Sequence, residues 1–71
     1  MIPPPPAHWP QPDGTPLACT EKVRMLVENH AELAQTMQDA FEDAVLMGVD
    51  EGAMRRILLG MVEGLESPKR R

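Results

Sequence analysis

Two residues in this sequence have side chains that could bind a metal ion or act as a nucleophile, His30 and Cys19. His30 falls on the apolar stripe of a predicted helix, where two copies related by a two-fold axis could form a metal-binding or pH-sensitive pair. The alternative is a half-buried histidine bonded to a carbonyl or a nearby glutamate. Cys19 lies near the start of the same helix, where the helix dipole would stabilise a thiolate. It is the only cysteine, so we interpret Cys19 as a thiol without a catalytic role. We interpret His30 as a residue that packs within the apolar stripe.

The acidic residues match no metal-binding motif. Asp39, Glu42 and Asp43 are close in sequence, but an EF-hand loop needs acids at alternate positions, a glycine and a closing glutamate. Helical di-metal bundles use a Glu-x-x-His spacing, whereas Glu28 precedes His30 by only two positions. We interpret the acids as a solvated helix face. The sequence therefore predicts no catalytic residue, no cofactor and no metal site, and we do not expect an enzyme.

Basic residues gather towards the end of the chain and could bind nucleic acid. They are Arg55, Arg56, Lys69, Arg70 and Arg71. The net charge of −4 argues against nonspecific nucleic-acid binding by the whole molecule. No aromatic residues are interleaved with these bases, and no recognition-helix pattern is present. Binding to nucleic acid is therefore a secondary alternative.

The length of 71 residues allows one domain at most. In this size range a single hydrophobic core supplies only a few kcal/mol of net folding stability. Disulfides, metals and self-association are the usual remedies. One cysteine excludes an internal disulfide, which leaves self-association. The N-terminus has no secretory-signal pattern, and no apolar run approaches the roughly 18 residues that cross a bilayer. We expect a cytoplasmic protein without membrane insertion.

Residues 1–16 form a proline-rich arm. They hold all but one of the eight prolines, and the four consecutive prolines at 3–6 favour an extended polyproline II path. Asp13 and Gly14 predict a turn. Trp9 is the only tryptophan and is interpreted as an anchor, either onto its own chain or into the pocket of a partner.

A long helix is predicted from about residue 17 or 20 to 47, because this stretch contains neither glycine nor proline. Two starts are open: Thr15 could cap the helix with Pro16 at its first position, or Thr20 could cap it with Glu21 in the first turn. The helix carries an apolar stripe whose spacing alternates between three and four residues. The stripe comprises Val23, Leu26, His30, Leu33, Met37, Ala40, Ala44 and Met47.

A second, shorter helix is predicted at about residues 50–66. Gly48 is placed to end the first helix in a left-handed conformation, and Asp50 is placed to cap the second. Ser67 and Pro68 close the second helix, because a proline disfavours helix at the residue before it. Its apolar positions are Met54, Ile57, Leu58, Met61, Val62 and Leu65.

The short link between these helices predicts an all-α fold, an antiparallel helical hairpin over residues 17–66. The proline-rich arm precedes it, and a basic tail at 67–71 follows. We interpret most of the methionines as flexible side chains that fill gaps in the core of the hairpin. The closed end of the hairpin is expected to be lined by Phe41, Ala44, Val45, Met47, Met54 and Ile57.

The two helices differ too much in length to cover each other. The first should span about 42 Å and the second about 22 Å. The stripe before about residue 33 is therefore left uncovered. Either the arm folds back to lay Trp9 or Leu17 on it, or a second copy packs there to form a dimeric four-helix bundle, which we favour. The predicted interface comprises Trp9, Val23, Leu26, Val27, His30 and Leu33.

These patterns predict a small non-catalytic helical protein that acts as a homodimer in a protein–protein interaction, accessory or regulatory role. One alternative is a nucleic-acid-associated regulator that uses the basic residues named above. A second alternative is a metal or thiol site around His30 and Cys19. The identity of a further protein partner is beyond what these patterns indicate.

Overall fold

The computed structural model describes residues 1–70 and contains two α-helices. Helix α1 runs over Thr20–Leu46 and helix α2 over Glu51–Glu63, followed by a short 3-10 helix at Pro68–Arg70. No β-strand occurs among the described residues. The predicted all-α fold with one long and one short helix in a hairpin is confirmed. The chain divides into two compact units, Met1–Gln38 and the part from Asp39 onward. The arm and most of α1 form the first, and the last turns of α1 with α2 form the second.

The arm reverses direction within the first unit. Gly14 donates its N–H to the carbonyl of Gln11, and Gln11 donates to the carbonyl of Thr15, both at 2.8 Å. Leu17 then donates to the carbonyl of Trp9, also at 2.8 Å. Gly14 has a φ of +89°, a conformation that residues with a Cβ rarely adopt. The predicted turn is therefore present, and it brings Leu17 back alongside Trp9.

The carboxylate of Asp13 stabilises this turn and should make it sensitive to acid. Its Oδ1 accepts hydrogen bonds from Thr15 Oγ1 at 2.7 Å and from Thr15 N at 3.0 Å. These bonds hold the pKa of Asp13 below its ordinary value of 3.8. Ionised Asp13 therefore stabilises the turn fully at pH values above its ordinary pKa. This stabilisation is lost as the pH falls through the lowered pKa of the folded protein. We expect the Thr15 amide resonance to titrate with a midpoint below 3.8 when followed by NMR.

The Asp13→Asn variant is the control for this titration, because it keeps an oxygen acceptor but has no proton to gain. Its Thr15 amide resonance should not titrate in the same range. A midpoint at or above the ordinary aspartate value in the unchanged protein would contradict the role given to Asp13.

Helix α1 begins at Thr20, the later of the two starts that the sequence left open, but Thr20 is not its capping residue. The first helical hydrogen bond is accepted by the carbonyl of Cys19 from the N–H of Val23, at 2.9 Å. Cys19 therefore occupies the capping position, and Thr20 already lies in the first turn. Thr15 cannot cap the helix, because its backbone and hydroxyl are bonded to Asp13 in the preceding turn.

The end of α1 is set by Gly48, as predicted. This glycine has a φ of +107°. Its N–H donates to the carbonyl of Val45 at 3.0 Å, and the N–H of Val49 donates to the carbonyl of Ala44 at 2.9 Å. This pair of bonds is the Schellman arrangement, which satisfies carbonyl groups that the last helical turn would leave unpaired.

Asp50 caps α2, which is also as predicted. Its Oδ2 accepts a hydrogen bond from the N–H of Ala53 at 2.9 Å. The helix ends at Glu63, three residues before the predicted 66. Gly60 and Gly64 account for the earlier end, because glycine is the least favourable helix residue after proline.

No side chain is buried in the part of the chain that the structure describes. The best-covered residues are half-buried. In the first unit they are Ile2, Pro5, Trp9, Leu17, Val23, Leu26, His30, Ala34 and Met37. In the second unit they are Phe41, Ala44, Val45, Gly52, Ala53, Met54, Leu58 and Ser67.

Two residues expected at the closed end of the hairpin are exposed instead, Met47 and Ile57. Met47 belongs to the turn that follows α1, where the chain has already left the helical path of the stripe. Ile57 lies on α2 at the edge of the apolar arc that contains the half-buried Met54 and Leu58. One neighbouring helix covers only part of so wide an arc.

Candidate functional site

The arm of the first unit packs on α1 through Trp9. The indole ring of Trp9 and the imidazole ring of His30 meet edge to face, with centroids 6.4 Å apart and planes at 74°. This separation and angle are favourable for an aromatic pair. The bond from Leu17 to Trp9 ties the end of the arm to the same place. Of the two ways to cover the first half of the stripe, the fold-back of the arm is present in the structure.

The indole N–H of Trp9 is not part of a hydrogen-bond network. Its Nε1 atom is shielded from solvent and has no hydrogen-bond partner among the described residues. A shielded donor without an acceptor lowers the stability of the fold by about 1–3 kcal/mol. The docking of Trp9 is therefore driven by its apolar contacts and works against this cost.

The residues predicted as an interface are divided by the fold of the first unit. Trp9 and His30 contact each other, and Val23 and Leu26 are half-buried with them. Val27 and Leu33 are exposed. Only the edges of the predicted surface are therefore open to another molecule while the arm is docked. The role of these residues in self-association stays a prediction.

His30 and Cys19 are not placed to share an ion within one chain. Their positions differ by eleven along the direction of α1, which corresponds to about 16.5 Å of helix. Cys19 is a free, exposed thiol, while the ring of His30 packs on Trp9. Across the described residues, no three side chains of the types His, Cys, Asp or Glu are grouped to hold a metal ion.

The basic side chains of α2 are partly used within the second unit. The guanidinium carbon of Arg55 lies 4.7 Å from the centroid of the Phe41 ring, which is a cation–π contact. The heptad pattern contained no signal for this contact. A guanidinium nitrogen of Arg56 lies close to Gly52. Lys69 is exposed beyond α2, and Arg71 lies outside the described residues.

An exposed apolar surface of the second unit lies on α2 and directly after it. We call the residues Ile57, Met61, Val62 and Leu65 the α2 apolar face. Ile57, Met61 and Leu65 are 55%, 65% and 78% exposed. Ile57 and Met61 are four residues apart and therefore lie on one side of the helix, whereas Leu65 follows the end of α2. Exposed apolar side chains that are contiguous indicate an interaction surface.

A signal for this face was present in the sequence. The six apolar positions of the helix predicted at about residues 50–66 span an arc of about 140°, wider than one antiparallel neighbour covers. The structure half-buries Met54 and Leu58 and exposes the other four. Only one helix is available to cover this arc, and it covers less than the full width. The pattern therefore predicts a second contact surface on α2.

Two glycines lie beside the α2 apolar face. Gly60 is inside the helix, and Gly64 follows its last residue. Neither has a positive φ, and a Cβ built on Gly60 would meet no atom within 4 Å. Glycine at such a position destabilises a helix by about 1 kcal/mol relative to alanine. No contact within the described chain requires glycine at position 60.

No protein-family model, no curated protein and no solved structure matches this chain. Among the described residues, neither helix has the length and apolar character that crossing a membrane would require.

Proposed function

We propose that this chain is a small non-catalytic helical interaction protein that acts as a homodimer, in an accessory or regulatory role. The observation that carries this proposal is the absence of any buried side chain in the part of the chain that the structure describes. A chain of this size gains stability by removing apolar side chains from water. A protein that does not bury them within one copy gains this stability by association.

The length of α2 is a further argument. It has 13 residues and contains Gly60 in its interior. Isolated helices shorter than about 12–15 residues are marginal in water, and most helical stability in proteins comes from packing of the apolar face. Because more than half of that face is exposed in one copy, association would stabilise α2 directly.

Sedimentation equilibrium tests the proposal. We expect the unchanged protein to have twice the monomer mass of 7.9 kDa at concentrations of tens of micromolar, and to dissociate on dilution over a hundredfold range. Apolar burial between the copies is the reason for the expected dimer. Thermal unfolding should shift to higher temperature as the concentration rises, because association stabilises only the folded state.

A single species at the monomer mass throughout this range, with cooperative unfolding that does not depend on concentration, would disprove the proposal.

A further inference from the structure

We propose that the run of four prolines in the arm binds a partner protein through a groove lined by aromatic side chains. The residues that meet this groove are Pro3, Pro4 and Pro6, which we call the proline ridge. The inference rests on the interaction role proposed above and adds to it a partner other than a second copy.

The conformation of the proline run is fixed by its covalent geometry. A proline ring holds its own φ near about −65° and restricts the residue before it to extended conformations. The residues at positions 2–5 each precede a proline, and among the described residues no peptide bond is cis. Residues 2–6 therefore follow a polyproline II helix, which has about three residues per turn and rises about 3.1 Å per residue.

The burial of the run has the same period of three. Ile2 and Pro5 are half-buried, whereas Pro3, Pro4 and Pro6 are exposed. Positions three apart lie on one edge of a polyproline II helix, so the edge with Ile2 and Pro5 is the one that the rest of the chain covers. Pro3 and Pro6 lie about 9 Å apart on a second edge, and Pro4 lies on the third. Two of the three edges are therefore open to a partner.

This arrangement selects the chemistry of the partner. Domains that recognise polyproline II segments bind prolines spaced three positions apart in grooves lined by aromatic side chains. Pro3 and Pro6 have this spacing. Residues 1–12 contain no Lys, Arg, Asp or Glu, so this segment offers no permanent side-chain charge to an acidic or basic groove. The partner that fits is an aromatic groove that recognises prolines alone.

The docked arm holds the proline ridge ready for binding. Trp9, three positions after Pro6, contacts His30 on α1, and Leu17 donates a hydrogen bond to the carbonyl of Trp9. A segment that is already held in its bound conformation loses less entropy on association. By contrast, an exposed leucine or methionine on a helix gives up rotamer freedom when it is bound. The fixed conformation, and not exposure alone, therefore distinguishes the proline ridge from the other exposed apolar side chains.

A titration with isolated proline-binding domains tests this inference. The probes are one WW domain and one EVH1 domain, each added to the isotope-labelled full chain and followed by NMR. We expect at least one of them to bind with a dissociation constant below about 1 mM and to shift the amide resonances of Ala7 and His8. Raising the salt concentration tenfold should change this constant less than about twofold, because the run has no charged side chain. The absence of saturable shifts with both domains, or binding that high salt abolishes, would overturn the inference.

Two adjacent substitutions assign the binding to the open edges. Pro6→Ala removes a proline from an exposed edge, and the matched control Pro5→Ala removes one from the covered edge. We expect Pro6→Ala to weaken binding at least about tenfold and Pro5→Ala less than about threefold. Equal weakening by the two variants would contradict the assignment, as would a Pro6→Ala variant that binds as tightly as the unchanged protein.

The indole N–H resonance of Trp9 distinguishes binding to the docked arm from capture of Trp9 itself. Trp9 is half-buried, and its Nε1 atom is shielded from solvent. This resonance should therefore stay in place while the Ala7 amide shifts. A Trp9 shift as large as that of Ala7 would show that the arm leaves α1 when it binds, and the proposal of a ridge on the docked arm would fail.

The titration and the solution mass answer separate questions. A homodimer to which neither domain binds would overturn the proline ridge and leave the proposed homodimer standing. A monomer that binds one of the domains would support the proline ridge and disprove the homodimer.

Discussion

Replacing Trp9 with alanine should lower the free energy of unfolding by about 2 kcal/mol and release the arm from α1. Removing a fully buried tryptophan side chain costs about 3–5 kcal/mol, and Trp9 is half-buried. The contact with His30 would be lost. Urea unfolding at a fixed protein concentration, followed by circular dichroism, measures the loss of stability.

Hydrogen exchange at Leu17 reports the release of the arm independently. The Leu17 amide donates to the carbonyl of Trp9 in the docked arm, so its protection should fall in Trp9→Ala. Trp9→Phe is the matched control. It keeps an aromatic ring against His30 and removes the unpaired indole donor, and we expect it to lose half as much stability or less. Unchanged stability and an equally protected Leu17 in Trp9→Ala would show that docking by Trp9 contributes nothing.

Replacing Gly48 with valine should lower the free energy of unfolding by about 2 kcal/mol. Gly48 has a φ of +107°, where a residue with a Cβ is strained, most of all a β-branched one. A Cβ at this position would meet no atom within 4 Å. The expected loss is therefore a cost of backbone conformation and not of a steric clash with a neighbour.

The matched control for Gly48→Val is Met47→Val at the preceding position. Met47 is exposed and has no positive φ, so its replacement should change the stability by no more than about 0.5 kcal/mol, as is usual for a surface substitution. Urea unfolding of both variants at the same protein concentration checks this difference, because the stability of a dimer depends on concentration. Equal losses in the two variants would contradict the role of the left-handed turn.

The link between the helices could be predicted residue by residue, because its requirements are local. A left-handed residue after α1 selects glycine, and an unpaired amide at the start of α2 selects a short acceptor such as aspartate. Gly48 and Asp50 meet these requirements. Each depends on a few adjacent backbone groups, so no distant contact changes the outcome.

The sequence could not decide between the two starts of α1 for a related reason. Thr15 and Thr20 are both good capping residues, and the sequence does not show which neighbouring groups compete for them. The turn around Asp13 bonds both the backbone and the hydroxyl of Thr15. Side chains of this kind form local hydrogen bonds that compete with helix formation, so α1 begins only after Cys19.

The periodicity of the apolar residues by itself determined two helices and which side of each is apolar, since an α-helix repeats every 3.6 residues whatever surrounds it. What covers each apolar side was decided only by the tertiary structure. Trp9 reaches His30 across 21 positions in sequence because a turn folds the arm back. Arg55 lies on Phe41 because the hairpin brings α2 against the end of α1. Ile57 and Met61 are left in water, because burial depends on which surfaces meet in space, and periodicity contains no information about distance.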